Sequence, residues 1–156
     1  MATRNDDLYE TDFYAWTQAQ AKALRNLQKD RWNGPLDLPR LAEEVEDLGK
    51  EQRNALRSWT TRIIEHLLKL QFSPATEPRR GEVREILQFR REVRDRITPA
   101  LRRDLASRLP HLYRTAREDI DRELRLFGEE VERRGLPEEC HYTLAQVLDS
   151  DWCPER

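Results

Sequence analysis

The sequence predicts an all-α fold, a bundle of four main helices plus a short C-terminal helix. Three observations predict it. Charged residues and apolar residues each make up 37% of the 156 residues, a balance typical of helices with one wet and one dry face. Only 5 glycines are present, too few for a fold rich in turns. The apolar residues recur at three- and four-residue steps instead of thinning out, which argues against disorder. The length fits one domain with its own core. The reading is therefore a single helical domain over residues 1–156, with residues 1–8 a flexible N-terminus.

The first helix is expected to start at Asp12, and Thr11 or Asp12 can cap it. Phe13, Trp16, Ala23, Leu24 and Leu27 form its stripe, and it should end near Lys29, before the Gly34-Pro35 turn signal. The second starts at Asp37 or Leu38 and tolerates Pro39, because N–H groups of a first turn have no intrahelical partner. Its stripe is read as Leu41, Val45, Leu48, Leu56, Trp59, Ile63, Leu67 and Leu70. Phe72 to Gly81, with two prolines and a glycine, reads as a loop. The third helix runs from about Glu82, with Val83, Ile86, Leu87, Val93 and Ile97 inward, and Pro99 should kink or end it. Leu101 and Leu105 belong to a short segment before a fourth helix, which starts near Leu109 with Pro110 in its first turn. Leu112, Tyr113, Ala116, Ile120, Leu124 and Phe127 make its stripe, and either Gly128 or Gly135 stops it. In the tail, Thr143 and Gln146 have capping-box spacing, and Tyr142 and Val147 stand where a hydrophobic staple forms. A short helix from Leu144 to about Asp149 is expected there, with Trp152 docked beyond it.

The acidic stretch "EEVED" is mostly a solvated helix side. With Leu41 at zero and about 100° per residue, Glu43 and Glu46 fall on the wet face, where Glu46 can pair with Lys50. Glu44 falls on the shoulder of the apolar stripe, with Asp47 further out. His66 lies within the stripe. On the third helix Arg90 lies inward between Ile86 and Val93, with Arg94 beside it. A buried Arg needs a partner, and Glu44 is the expected one, with Glu123 as an alternative. Glu44, Asp47, His66, Arg90 and Arg94 thus form a candidate polar network. It reads first as structural; the alternative is a small-ligand or metal site, and so possibly an enzyme, around Glu44, His66 and Arg90.

The chemistry classes narrow quickly. The Glu-x-x-His pair of bundle metal sites is absent, since Ile63 and Lys69 flank His66 at three residues. Cys140, His141 and Cys153 match no closed four-ligand zinc pattern and read as two free thiols and a tail histidine. Residues 79–103 hold nine Arg against four acids, but the acids interleave them, so an ion-paired surface helix is the better reading than a nucleic-acid interface. No phosphate loop, nucleophile elbow or catalytic triad stands out. No metal, cofactor or catalytic residue is assigned. The net charge of −2 sets up no global attraction to nucleic acid or membrane. The opening residues lack the apolar run of a signal peptide, and no segment is long and apolar enough to span a bilayer, so a cytoplasmic setting is expected.

Blocks along the chain carry a resemblance. "LYETDFYAWTQAQAKALR", "LDLPRLAEEVEDLGKEQRNALRS", "IIEHLLKLQ", "EILQFRREV" and "PEECHYTLAQVLDSDWCP" together resemble the bacterial domain of unknown function family 29, over roughly Tyr9 to Pro154. The resemblance implies an all-helical fold and a bacterial protein, and it implies no activity. The family pattern includes Trp16, Glu43, Glu44, Asp47, His66, Arg90 and Thr143; Pro39 and the charged stretch "GEEVERRG" depart from it. With no catalytic constellation in view, the favoured function is a non-enzymatic helical interaction or adaptor protein, with a protein partner or self-association, no membrane and no nucleic acid.

Overall fold

The computed structural model describes residues 4–74 and 79–155. The fold is all-α, and no strand occurs among the described residues. The helices are α1 (Arg4–Thr11), α2 (Phe13–Lys29), α3 (Leu38–Phe72), α4 (Arg79–Arg96), α5 (Pro99–Leu126), α6 (Glu130–Arg134) and α7 (Leu144–Leu148). The four main helices are α2 to α5, and α3 and α5 are the longest, with 35 and 28 residues. The chain forms two compact units, one of residues 1–55 and 98–103, the other of residues 56–97 and 104–156.

In the first unit, Asp12 fixes the start of α2. Its Oδ1 accepts the Ala15 N–H at 2.9 Å, a side-chain cap on an otherwise orphaned donor. Its Oδ2 accepts the Ala100 N–H at 2.7 Å, in the first turn of α5. One carboxylate, 5% exposed, therefore caps two helices, and both positive helix ends favour its charge. Residues 4–11 are helical where a flexible terminus is expected over 1–8; residues 1–3 lie outside the described residues. An aromatic cluster accompanies α1, with Tyr9 edge-on to Trp16 at 4.9 Å and to Phe13 at 5.6 Å.

The stripe expected for the front of α3 is rotated. Leu41 and Leu48 are 38% and 51% exposed, while Leu38, Ala42 and Gly49 are buried. Thr17 and Ala21 on α2 are buried too. The contact is made by small residues: a Cβ on Gly49 would stand 2.2 Å from Thr17 Oγ1. Close backbone approach, not leucine packing, decides which face turns inward here. On α2, Ala23 and Leu27 are exposed for the same reason, and Phe13 and Trp16 are half-buried.

The second unit has the denser apolar core. Leu56, Ile63, Ile64, Leu67 and Leu68 of α3, Ile86 and Val93 of α4, and Leu105, Leu112, Ala116 and Ile120 of α5 are each at most 5% exposed. Trp59 is half-buried, with the Arg96 guanidinium 5.1 Å from its ring centre. Leu87, expected inward, is 40% exposed. Pro99 does separate α4 from α5, standing as the first residue of the latter. Pro110, however, does not start a helix; it lies inside α5. Pro110 and Ala106 are both exposed, so water can reach the Ala106 carbonyl that loses its N–H partner. Gly128, at φ 73°, closes the chain behind α5, and Gly135 caps α6, so each of the two candidate stops ends a helix. Of the loop expected over 72–81, residues 75–78 lie outside the described residues.

Candidate functional site

Arg90 is the most deeply buried charge, at 2% exposure. Its side chain reaches the C-terminal segment. Nε donates to the Val147 carbonyl at 2.8 Å, Nη2 to that of Gln146 at 3.0 Å and Nη1 to that of Trp152 at 2.8 Å. The planar fork suits three acceptors spread over one turn and its exit. Burial lowers the guanidinium pKa, and the nearby Cys153 and Asp149 oppose that shift. Helix α7 is held at its other end by the expected capping box between Thr143 and Gln146, and Tyr142 and Val147 are both buried. Trp152 is half-buried, edge-on to Tyr142 at 5.9 Å.

Other side chains dock the same segment. Arg117 Nε and the Tyr113 hydroxyl donate to the Pro137 carbonyl at 2.8 and 2.7 Å. Gln71 Oε1 accepts from the Tyr142 hydroxyl at 2.7 Å and lies 2.8 Å from His141 Nε2. Burial pushes the Tyr113 phenol up to about 12 and raises Tyr142 as well. Cys140 and Cys153 are free thiols, and burial raises the Cys140 thiol. This cluster ties down a tail.

The expected carboxylate partner of Arg90 is therefore replaced by main-chain carbonyls. Glu44, in the first unit, is exposed and makes no ion pair among the described residues. Asp47 is exposed and lies 3.6 Å from Lys50. Arg94 is exposed and lies 3.8 Å from Asp95. The carboxylate of "EEVED" that is most engaged is Glu46. It takes Arg25 in bidentate fashion at 2.8 and 3.3 Å, and Lys50 at 3.3 Å. Those partners, Arg25 first, hold it down at about 2. Glu123, the alternative partner considered for Arg90, pairs instead with Lys69 at 3.1 Å.

His66 pairs with a residue that lines a cavity. Its Nδ1 is hydrogen-bonded to Glu82 of α4, and its ring stacks near Phe89. Burial alone would raise Glu82; the bond and charge of His66, helped by Lys69, outweigh it and hold the carboxyl below its ordinary value. Glu82 also lines a pocket of about 340 Å³ among α3, α4 and α5, at the small end of ligand-sized cavities. Leu70, Ile120, Leu124 and Phe127 supply its apolar wall, and Lys69, Arg79, Glu123 and Glu129 its charged rim. Phe127 is 73% exposed, contrary to the reading of it as core, and Leu126 and Val131 are 79% and 81% exposed. The helical spacing that reaches Leu124 does extend to Phe127, but α5 stops at Leu126 and Gly128 turns the chain away. The sequence signal for this surface is thus an apolar pair set against a helix-stopping glycine. Among the described residues, no group of three or more His, Cys, Asp or Glu is arranged to hold a metal ion.

A family model described as domain of unknown function DUF29 matches residues 8–153. The fold is similar to the crystal structure of an alpha-helical protein of unknown function from Rhodospirillum rubrum, with a TM-score of 0.77 and 26% identity over 92% of this chain and 90% of that one. No curated protein matches the chain. No helix among the described residues is long and apolar enough to cross a membrane.

Proposed function

We infer that this chain, which belongs to the DUF29 family, is a non-enzymatic interaction protein of the bacterial cytoplasm that docks a protein through the face around Phe127. The observation that carries this reading is the 73% exposure of Phe127 on the lining of an apolar-walled pocket, with Leu126 and Val131, close by in the chain, 79% and 81% exposed. Large apolar side chains presented together on a charged surface mark contact sites, and an aromatic next to a pocket is the usual form of an interface anchor. The polar side chains elsewhere support the same reading. Arg90, Arg117 and Tyr113 are spent on tail carbonyls, and His66 on Glu82. Capture from the native host tests the proposal, with the wild-type chain and Phe127→Asp as baits. Loss of a specific partner from the variant, with helical content unchanged, is the expected result; identical captured sets would refute it.

A second reading, a small-ligand protein, draws on the pocket volume of about 340 Å³. It places the ligand next to Glu82, the partner of His66, away from Arg90. A thermal-shift screen of small amphipathic acids and amines, compared between wild type and Leu124→Trp, reads it directly.

A further inference from the structure

We propose that the occupant of the Phe127 face is a second copy of the chain, joined through a two-fold interface. This rests on the docking reading above and names its partner. A two-fold contact brings the same patch together from both copies, so the patch must complement itself in shape and in charge.

The shape condition is met by a knob and a hole side by side. Leu126 and Phe127 protrude where α5 ends, because Gly128 at φ 73° turns the chain and leaves them uncovered. The adjoining pocket has Leu70, Ile120 and Leu124 on its wall. Phe127 of one copy can enter the pocket of the other while the reciprocal insertion occurs across the axis.

The charge condition is met by what remains after internal pairing. Of the rim charges, Lys69 is taken by Glu123 at 3.1 Å and Glu82 by His66. Two are left over. Among the described residues, the guanidinium of Arg79 has only a long hydrogen bond, 3.4 Å, to the Leu70 carbonyl. Glu129 has no ion pair among the described residues. Among the described residues the patch therefore carries one uncommitted cation and one uncommitted anion. Two copies related by a two-fold axis can set each Arg79 against the other copy's Glu129, twice per dimer. A uniformly acidic partner would be repelled by Glu129 and a uniformly basic one by Arg79. The like-charge cost that specifies partners elsewhere thus selects a partner surface that carries both signs, and this same patch is one.

Sedimentation equilibrium of the full chain over a wide concentration range is the test. Wild type should associate to a dimer, and Phe127→Asp should be monomeric. Arg79→Glu and Glu129→Arg should each weaken association on the order of tenfold or more. The double variant R79E/E129R should recover most of that loss, because the pair is re-formed with its signs exchanged. Both charge sites are half-buried at the pocket rim, and circular dichroism melts verify that all variants are folded. A wild-type chain that stays monomeric, a dimer indifferent to Phe127→Asp, or a double variant no better than the singles would each overturn the proposal. A monomeric wild type whose Phe127→Asp variant loses a host protein would overturn self-association and leave the docking reading standing.

Discussion

Replacing Arg90 by Met keeps most of the side chain's length and removes three hydrogen bonds and a charge. Each hydrogen bond from a charged donor contributes roughly 1.5–3 kcal/mol, so the three to Gln146, Val147 and Trp152 have a gross value of several kcal/mol. Against this stands the cost of burying a guanidinium with no carboxylate on it, also several kcal/mol, and Met abolishes that cost. What the variant cannot recover is the pairing of the carbonyls. Val147 is 0% exposed, so its oxygen stays dry, and an unsatisfied buried acceptor costs about 1–3 kcal/mol. Gln146 and Trp152 are half-buried, and water can repair part of the loss there. The expected net destabilisation is about 2–4 kcal/mol, read as a lower midpoint in urea. Arg94→Met, four residues along on the exposed side, should stay within about 0.5 kcal/mol. Hydrogen exchange gives the second readout, since amides of residues 144–152 should lose protection before those of α3. Wild-type stability in Arg90→Met, or lost stability with unchanged exchange in the tail, would refute the account of Arg90 as the tail's clamp.

Three further outcomes are expected. Gly49→Ala should destabilise by about 1–2 kcal/mol in a thermal melt, because the clash with Thr17 Oγ1 outweighs the roughly 1 kcal/mol an Ala gains in a helix; a more stable variant would show that α2 and α3 do not meet there. Glu46→Gln should cost about 1 kcal/mol at neutral pH. The Glu46 carboxyl is depressed from 4.5 to about 2, so its contribution is present above pH 4.5 and fades as pH falls towards about 2; wild type and variant should converge over that window, and a gap constant with pH would contradict the pairing. Asp12→Ala removes caps from α2 and α5 together and should cost about 1–3 kcal/mol, measured by chemical denaturation, with a loss under about 0.5 kcal/mol as the refuting result.

Features written in neighbouring residues were legible in the sequence. The Asp12 cap, the Pro99 break, the Thr143–Gln146 capping box and the heptad-like run from Leu56 to Leu70 all follow from local rules. The inward placement of Arg90 was legible too, because Ile86 and Val93 bracket it. Its partners were not, since every residue has a carbonyl and none advertises that it will accept. The front of α3 misled because hydrophobicity favours Leu41 and Leu48, while the contact with α2 selects small side chains at Ala42 and Gly49. Pro110 misled because a lost backbone bond is tolerated where the freed carbonyl meets water. The candidate site was the least legible part. Spacing assigns Phe127 to the stripe of α5, and only the position of the helix end decides whether that stripe has anything to cover it.

The double role of Asp12 bears on the order in which the protein can be made. Its Oδ1 can cap α2 as soon as the first thirty or so residues are free, since Ala15 is three positions away. Its Oδ2 must wait for Ala100, 88 residues later. Until residue 100 has been made, the carboxylate has only its α2 partner available. The start of α5 thus depends on a residue 88 positions earlier in the chain. A chain arrested before residue 100 should hold α2 without its final anchor.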